Sequence, residues 1–186
     1  MSDWGSPASV VVPLFVSPAS NYGSANVIAA ILNAANSAAA RTWVANLVTY
    51  APVFLPFPYP CNRFFWVNGT TTTSTNVDCG IYSWDGTRIF NTGSTAQGTA
   101  STVQYVTPSS VFVLDAGRYY FAWTCNNTTN RGYSMNAVSG QSAGRLAGLL
   151  EETTGSFGLP ATMTPVAWAR AWGPSVCGVT RTTTGF

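Results

Sequence analysis

The chain has 186 residues, charged side chains make up only 8% of it, and every base is an arginine, with no lysine or histidine. An ordinary soluble domain carries about 25% charged residues. A net charge of +2 is too small to draw the chain to nucleic acid or an anionic membrane. The lack of histidine and lysine removes imidazole and amine catalysis and any histidine-ligated metal. Hydrophobic residues at 46% and aromatics at 13% argue against disorder, which needs low hydrophobicity and high charge.

Residues 1–22 carry Pro7, Pro13 and Pro18 between short apolar runs (VVV at 10–12, LFV at 14–16). Prolines at that spacing predict an extended arm. The arm has no basic n-region followed by a long apolar stretch, so no cleaved export signal is expected. Residues 24–40 are the one helix candidate: Val27, Ile28, Ile31, Leu32 and Ala35 recur at helical spacing and Ser24 is placed as N-cap. The most apolar window, 27–48, is interrupted by Asn33, Asn36, Ser37, Arg41 and Asn46, short of the roughly 20 apolar residues of a membrane span.

Strand signals dominate from Trp43 onward. Residues 43–50 run into Pro52, Pro56, Pro58 and Pro60; 62–68 (NRFFWVN) and 76–84 (NVDCGIYSW) follow. Asp85-Gly86 reads as a two-residue type I′ turn joining IYSW to TRIF. Further strands are expected at 101–107, 111–114 and 118–125 (RYYFAWTC), with weaker signals at 132–138, 145–150, 162–172 and 176–181. Eight or more short strands separated by turns predict a mainly β protein, a jelly-roll-like β-sandwich. The organisation expected is an N-terminal arm and short helix over 1–42 and a β-sandwich domain over 43–186.

The candidates for chemistry are few. The acids are Asp3, Asp78, Asp85, Asp115, Glu151 and Glu152. Asp85 and Asp115 fit turns, Asp78 is expected to point outward from its strand, and Glu151 and Glu152 as strand neighbours face opposite ways. Asp78 with Glu151 is the one pair to weigh against a glycosidase, which needs two carboxylates across a cleft; solvated surface acids are the preferred reading. Serines and cysteines lack a histidine base. Gly140, Gly144 and Gly148 lack the lysine of a phosphate loop. The arginines (Arg41, Arg63, Arg88, Arg118, Arg131, Arg145, Arg170 and Arg181) are dispersed along the chain rather than clustered as in a nucleic-acid binder.

Cys61, Cys79, Cys125 and Cys177 form either two disulfides, with three pairings open, or four buried thiols; without an export signal, free thiols are the reading taken. None is in a C-x-x-C spacing, so no zinc site is expected. The sequons at Asn68, Asn126 and Asn127 read as polar loop ends. Trp66, Tyr82, Tyr120, Phe121 and Trp123 are expected in the core, whereas Trp4, Trp168 and Trp172 are candidates to anchor a partner surface. Aromatic platforms also bind sugars, which leaves a lectin-like role open.

The run from Phe64 through Cys125 reads FFWVNG, NVDCGIYSWDGTRIFNTGSTAQGT, VQYVT and LDAGRYYFAWTC, and Phe157 through Met163 reads FGLPATM. These segments resemble bacteriophage virion proteins, in which an NG turn leads to a "VDVGIYDADG" hairpin, a "STGSTAQ" segment, a "PGRYYLAL" strand and a late "FPLPAT" segment. Cys79 and Cys125 stand where aliphatic or small residues are typical. The resemblance implies a jelly-roll-like sandwich in a tail, connector, head decoration or fibre, with the virion as its location. The function expected is therefore non-enzymatic: an assembly subunit with no cofactor, no catalytic residues and no metal. Its expected partners are copies of itself, in a homotrimer or ring, and other virion proteins, not nucleic acid or membrane. A receptor- or carbohydrate-binding adhesin module, with a host-surface receptor or glycan as partner, is the alternative. The arm over 1–22 is expected to lie along a neighbour's sheet edge.

Overall fold

The computed structural model describes residues 27–29, 39–70, 72, 76–128, 131–134, 148–170 and 177–180. All regular structure in them is β, in antiparallel pairs. No helix among them is long and apolar enough to cross a membrane.

The largest sheet is built on β3 (Leu47–Leu55), β6 (Asn76–Ser83) and β11 (Gly117–Cys125). β11 lies between the other two, pairing Phe121 with Ala51 on one side and with Ile81 on the other. β13 (Leu150–Thr153) and β14 (Val166–Ala167) extend the sheet beyond β3; β7 (Arg88–Asn91) and β8 (Thr95–Ala96) both pair with β6. A four-stranded sheet faces it, in the order β1 (Val27–Ala29), β15 (Cys177–Thr180), β5 (Arg63–Val67), β9 (Val103–Val106). Two short pairs complete the strands: β4 (Tyr59–Cys61) with β10 (Phe112–Leu114), and β2 (Ala39–Thr42) with β12 (Arg131–Ser134).

Strand alternation explains the packing. Tyr119, Phe121, Trp123 and Cys125 of β11 join Ala51, Val53 and Leu55 of β3 and Val77, Cys79 and Ile81 of β6 on one face. Phe64, Trp66, Cys177 and Val179 of the small sheet meet them there; the Phe64 and Phe121 rings are 5.8 Å apart, and Trp43 sits edge-on to Trp123 at 4.4 Å. Each such side chain withdrawn from water stabilises the fold by about 1.5–3 kcal/mol before entropy is counted. The intervening residues Val48, Tyr50, Tyr82, Tyr120 and Ala122 form a second apolar cluster with Leu159 on the opposite face. That face is covered by residues 154–165, here called the strap. The central strands are thus buried on both sides, which is why RYYFAWTC reads as a nearly continuous apolar run.

Several sequence expectations change. Where the expected helix over 24–40 is described, at Val27–Ala29 and Ala39–Ala40, it is strand, because pairing with β15 and β12 overrides local helix propensity; its remaining residues and the arm over 1–22 lie outside the described residues. The strand expected at 43–50 begins only at Leu47, after a turn with Asn46 at positive φ (59°), and runs on through Pro52. Pairing with β13 stops at Tyr50, so Pro52 is flanked by β11 alone, where a missing N–H is tolerated. The turn closed by Ser83 and Thr87 has three residues, 84–86, rather than two: Gly86 N–H bonds Ser83 O at 3.0 Å, Ser83 N–H bonds Thr87 O at 2.9 Å, and only Gly86 adopts positive φ (90°). Ile89 is then an extra residue, since Ile81 pairs with Phe90 and Tyr82 with Arg88. Over its described residues, 162–170, the strand expected at 162–172 shrinks to β14 and a single bridge from Thr162 to Thr87.

Cys61, Cys79, Cys125 and Cys177 are free thiols, all buried. Burial pushes Cys61, Cys125 and Cys177 up to about 12 from an ordinary value of 9.0, and Cys79 well above it. In the unfolded chain these thiols ionise near 9.0, so above that pH the unfolded state binds fewer protons and stability falls. A thiol reagent is expected to label none of the four in the native protein and all four in denaturant. The denaturant midpoint is expected to hold below the ordinary thiol value and to decline steadily above it.

Candidate functional site

Two carboxylates, Asp78 and Glu152, hold the strap, and their geometry defines what they do. Asp78 leaves β6 on the strap side, as its strand position predicts, but it is buried rather than solvated. It accepts the Leu159 N–H at 2.9 Å, the Asn91 amide at 3.1 Å and the Thr92 hydroxyl at 3.3 Å. Glu152 faces the same side and accepts the Tyr50 hydroxyl at 2.7 Å, with the Thr164 N–H at 2.9 Å and its hydroxyl at 2.8 Å. Tyr82 donates to Pro160 O at 2.6 Å, and the Arg88 guanidinium bonds Leu159 O. Backbone bonds from Arg88 N–H to Ala161 O and from Met163 N–H to Gly86 O join the strap to the β7 edge. Burial, then the Glu152 bond, drives the Tyr50 hydroxyl far above its ordinary value, and burial raises Tyr82 as well. Both phenols are therefore fixed donors near neutral pH.

Glu151 takes the opposite direction from Glu152, as strand alternation requires. It is buried and pairs with Arg170 at 3.2 Å, so it too is not a solvated acid. Register places Glu151 beside Thr49, Trp123 and Cys79, the row that points into the core shared by the two sheets. Asp78 and Glu151 thus lie on opposite faces of one sheet and do not flank a common cleft. Asp78 and Glu152 share a face but are three strands apart, about 14 Å at ~4.8 Å per strand, beyond the roughly 5–9.5 Å of glycosidase carboxyl pairs. Among the described residues no group of three or more Cys, Asp or Glu is placed to hold a metal ion.

The other candidates divide between core and surface. Asn68 is fully buried; it accepts the Trp66 indole N–H at 2.9 Å and donates to Gln104 at 3.0 Å and Thr99 O at 3.1 Å. Its amide holds the loop before β9 and is closed to glycosylation. Asn126 is exposed and ties Asn76 N–H at 3.1 Å. Trp168, expected as a surface anchor, is fully buried in the core; Trp4 and Trp172 lie outside the described residues. Of Gly140, Gly144 and Gly148, only Gly148 falls among the described residues, at positive φ (73°).

Sequence reasoning missed an exposed aromatic strip beyond the end of the strap. Trp84 stacks on Tyr120 at 4.8 Å with 5° between planes, and the Arg118 guanidinium lies 5.3 Å from the Trp84 ring centre. Phe54, which pairs with Arg118 in register, is also exposed. The available signal was the alternation of RYYF against its neighbours, which puts Arg118 and Tyr120 on the face opposite Tyr119 and Phe121.

Asp78 is the strap's central tether. Asp78→Ala is expected to cost about 1–3 kcal/mol, because the buried Leu159 N–H loses its acceptor. Limited proteolysis should then cut within 154–165 while the rest of the chain resists. Unchanged stability and an intact strap would contradict this assignment.

No family model matches this chain, and no curated protein matches it significantly.

Proposed function

We propose that this chain is a bacteriophage virion structural protein: a non-enzymatic, jelly-roll-like β-sandwich subunit of a tail, connector, head decoration or fibre. The observation that carries the reading lies at the sheet edges. β14 ends the large sheet beyond β3, β9 ends the small one and β10 belongs to a two-stranded pair, whereas the β7 edge is joined to the strap. Each of the three bears a large exposed apolar side chain: Val166 (61% exposed), Tyr105 (48%) and Val113 (59%). Proteins that stay monomeric blunt their edges with charge, proline or short covered strands. Here the charge is scarce and the edges are apolar, which suits a subunit whose edges are covered by copies of itself or by other virion proteins.

Two further features support the reading. The segments resembling virion proteins map onto β5 and β9 of the small sheet and onto the β6–β7 hairpin, β11 and the strap on the large one, so the resemblance runs through both sheets. Asp78, Glu151 and Glu152 are committed to holding backbone or an arginine, as a scaffold requires. A second reading, a receptor- or carbohydrate-binding module, is favoured by the Phe54–Arg118–Trp84 strip.

The test has two arms. Peptide counting by mass spectrometry of purified phage particles carrying this gene is expected to find the chain at a fixed copy number. Val166→Lys and Val113→Lys place charges on exposed edge positions, so folding should be kept and incorporation into particles lost. Absence of the chain from particles, or full incorporation of both variants, would contradict the proposal.

A further inference from the structure

We infer that the strip formed by Phe54, Arg118 and Trp84 is a binding site for a saccharide bearing a carboxylate. The inference takes its ligand class from the second reading above. It stands apart from the assembly reading, because binding is measured on the free chain whatever its mass.

The site begins with a ring held in place. Trp84 is the first residue of the β6–β7 turn, where flat stacking on Tyr120 fixes its plane and 49% of its surface stays open. The turn beneath it is braced by Asp85, whose Oδ1 accepts the Ser83 hydroxyl and the Thr87 N–H. These bonds hold the Asp85 carboxyl below its ordinary value of 3.8, the Ser83 bond contributing most. A rigid exposed indole offers the apolar C–H face of a sugar ring a surface at little cost in side-chain entropy.

The second component is Arg118. Its guanidinium lies over the Trp84 ring, and among the described residues no carboxylate is within ion-pair distance of it. Asp85, the nearest acid along the hairpin, directs its Oδ1 into its own turn. An exposed guanidinium without an acid partner presents a planar fork of donors that matches a carboxylate bidentately. Phe54 lies on the other side of Arg118 by register. β3 and β6 are two strand spacings apart, so the backbones that carry Phe54 and Trp84 lie about 10 Å apart, the span of a short oligosaccharide.

Size favours a saccharide over a protein. A stable protein interface uses about 20–30 residues on each side, whereas this strip is three side chains bounded by the strap, where Met163 packs against Gly86, and by polar residues including Ser83 and Asp85. Charge favours an acidic sugar over a neutral one.

The experiment applies the full chain to an array of immobilised oligosaccharides bearing uronate or sialate groups, together with neutral counterparts of the same length. Retention on at least one acidic class is expected. Trp84→Ala should weaken it by about tenfold, the equivalent of ~1.4 kcal/mol, and Trp84→Phe should keep most of it. Arg118→Gln should bring acidic and neutral saccharides to the same level. Tyr105→Ala, at the other arginine–aromatic contact, where Arg63 lies 4.1 Å from the Tyr105 ring, should change nothing. Thermal midpoints confirm that each variant is folded. The inference is overturned if no acidic saccharide is retained, if retention survives both Trp84→Ala and Arg118→Gln, or if Tyr105→Ala abolishes it equally.

Discussion

The structure depends on covering both faces of one antiparallel sheet. β3, β6 and β11 present apolar side chains alternately to the small sheet and to the strap, so neither face tolerates water. The small sheet covers its face with rings. The strap is a stretch of irregular chain, and its backbone polar groups need partners wherever they are buried. Asp78, Tyr82, Arg88 and Glu152 supply them. Gly80 belongs to the same constraint: a Cβ there would meet Phe90 O at 2.5 Å and the Leu159 side chain at 2.6 Å, so the strap lies this close only over a glycine.

That constraint decides what the carboxylates do. A carboxylate accepting several hydrogen bonds under a packed segment is a fastener, and Asp78 is placed as one. Glu151, turned to the other face, is held by Arg170. The polar chemistry of the large sheet is thereby used to attach the strap and its flanks. Among the exposed groups of the described residues are apolar side chains on edge strands and the strip around Trp84. The first fits assembly through sheet edges, and the second fits recognition of a small ligand.

The strands of the large sheet were largely legible because period-2 alternation and β-branched or aromatic content are strong signals. RYYFAWTC and NVDCGIYS needed only their register to be placed. The hairpin was legible in position but not in type, since Asp85-Gly86 serves a three-residue loop as readily as a two-residue one. Two misreadings share a cause. Residues 27–29 and 39–40 were read as helix from local spacing, and Asp78 as a solvated acid from its immediate neighbours. In both, a segment distant in sequence decided the outcome: β15 and β12 for the first, the strap for the second. Gly80 was a usable signal that went unread, because a glycine inside a strand often marks close approach of another backbone. The strip around Trp84 was legible only in part: the alternation of RYYF puts Arg118 and Tyr120 on one face, but their exposure depends on where the strap ends.

The central claim is that these sheet edges are covered by neighbours in the working protein. Hydrogen-exchange mass spectrometry on the full chain in assembled particles tests it most directly, with β3 and β11 as the internal standard of protection. The account predicts that amides of β9 and β14 exchange nearly as slowly as those of β3 and β11. Rapid exchange at β9 and β14 in the assembled state, with β3 and β11 still protected, would contradict it.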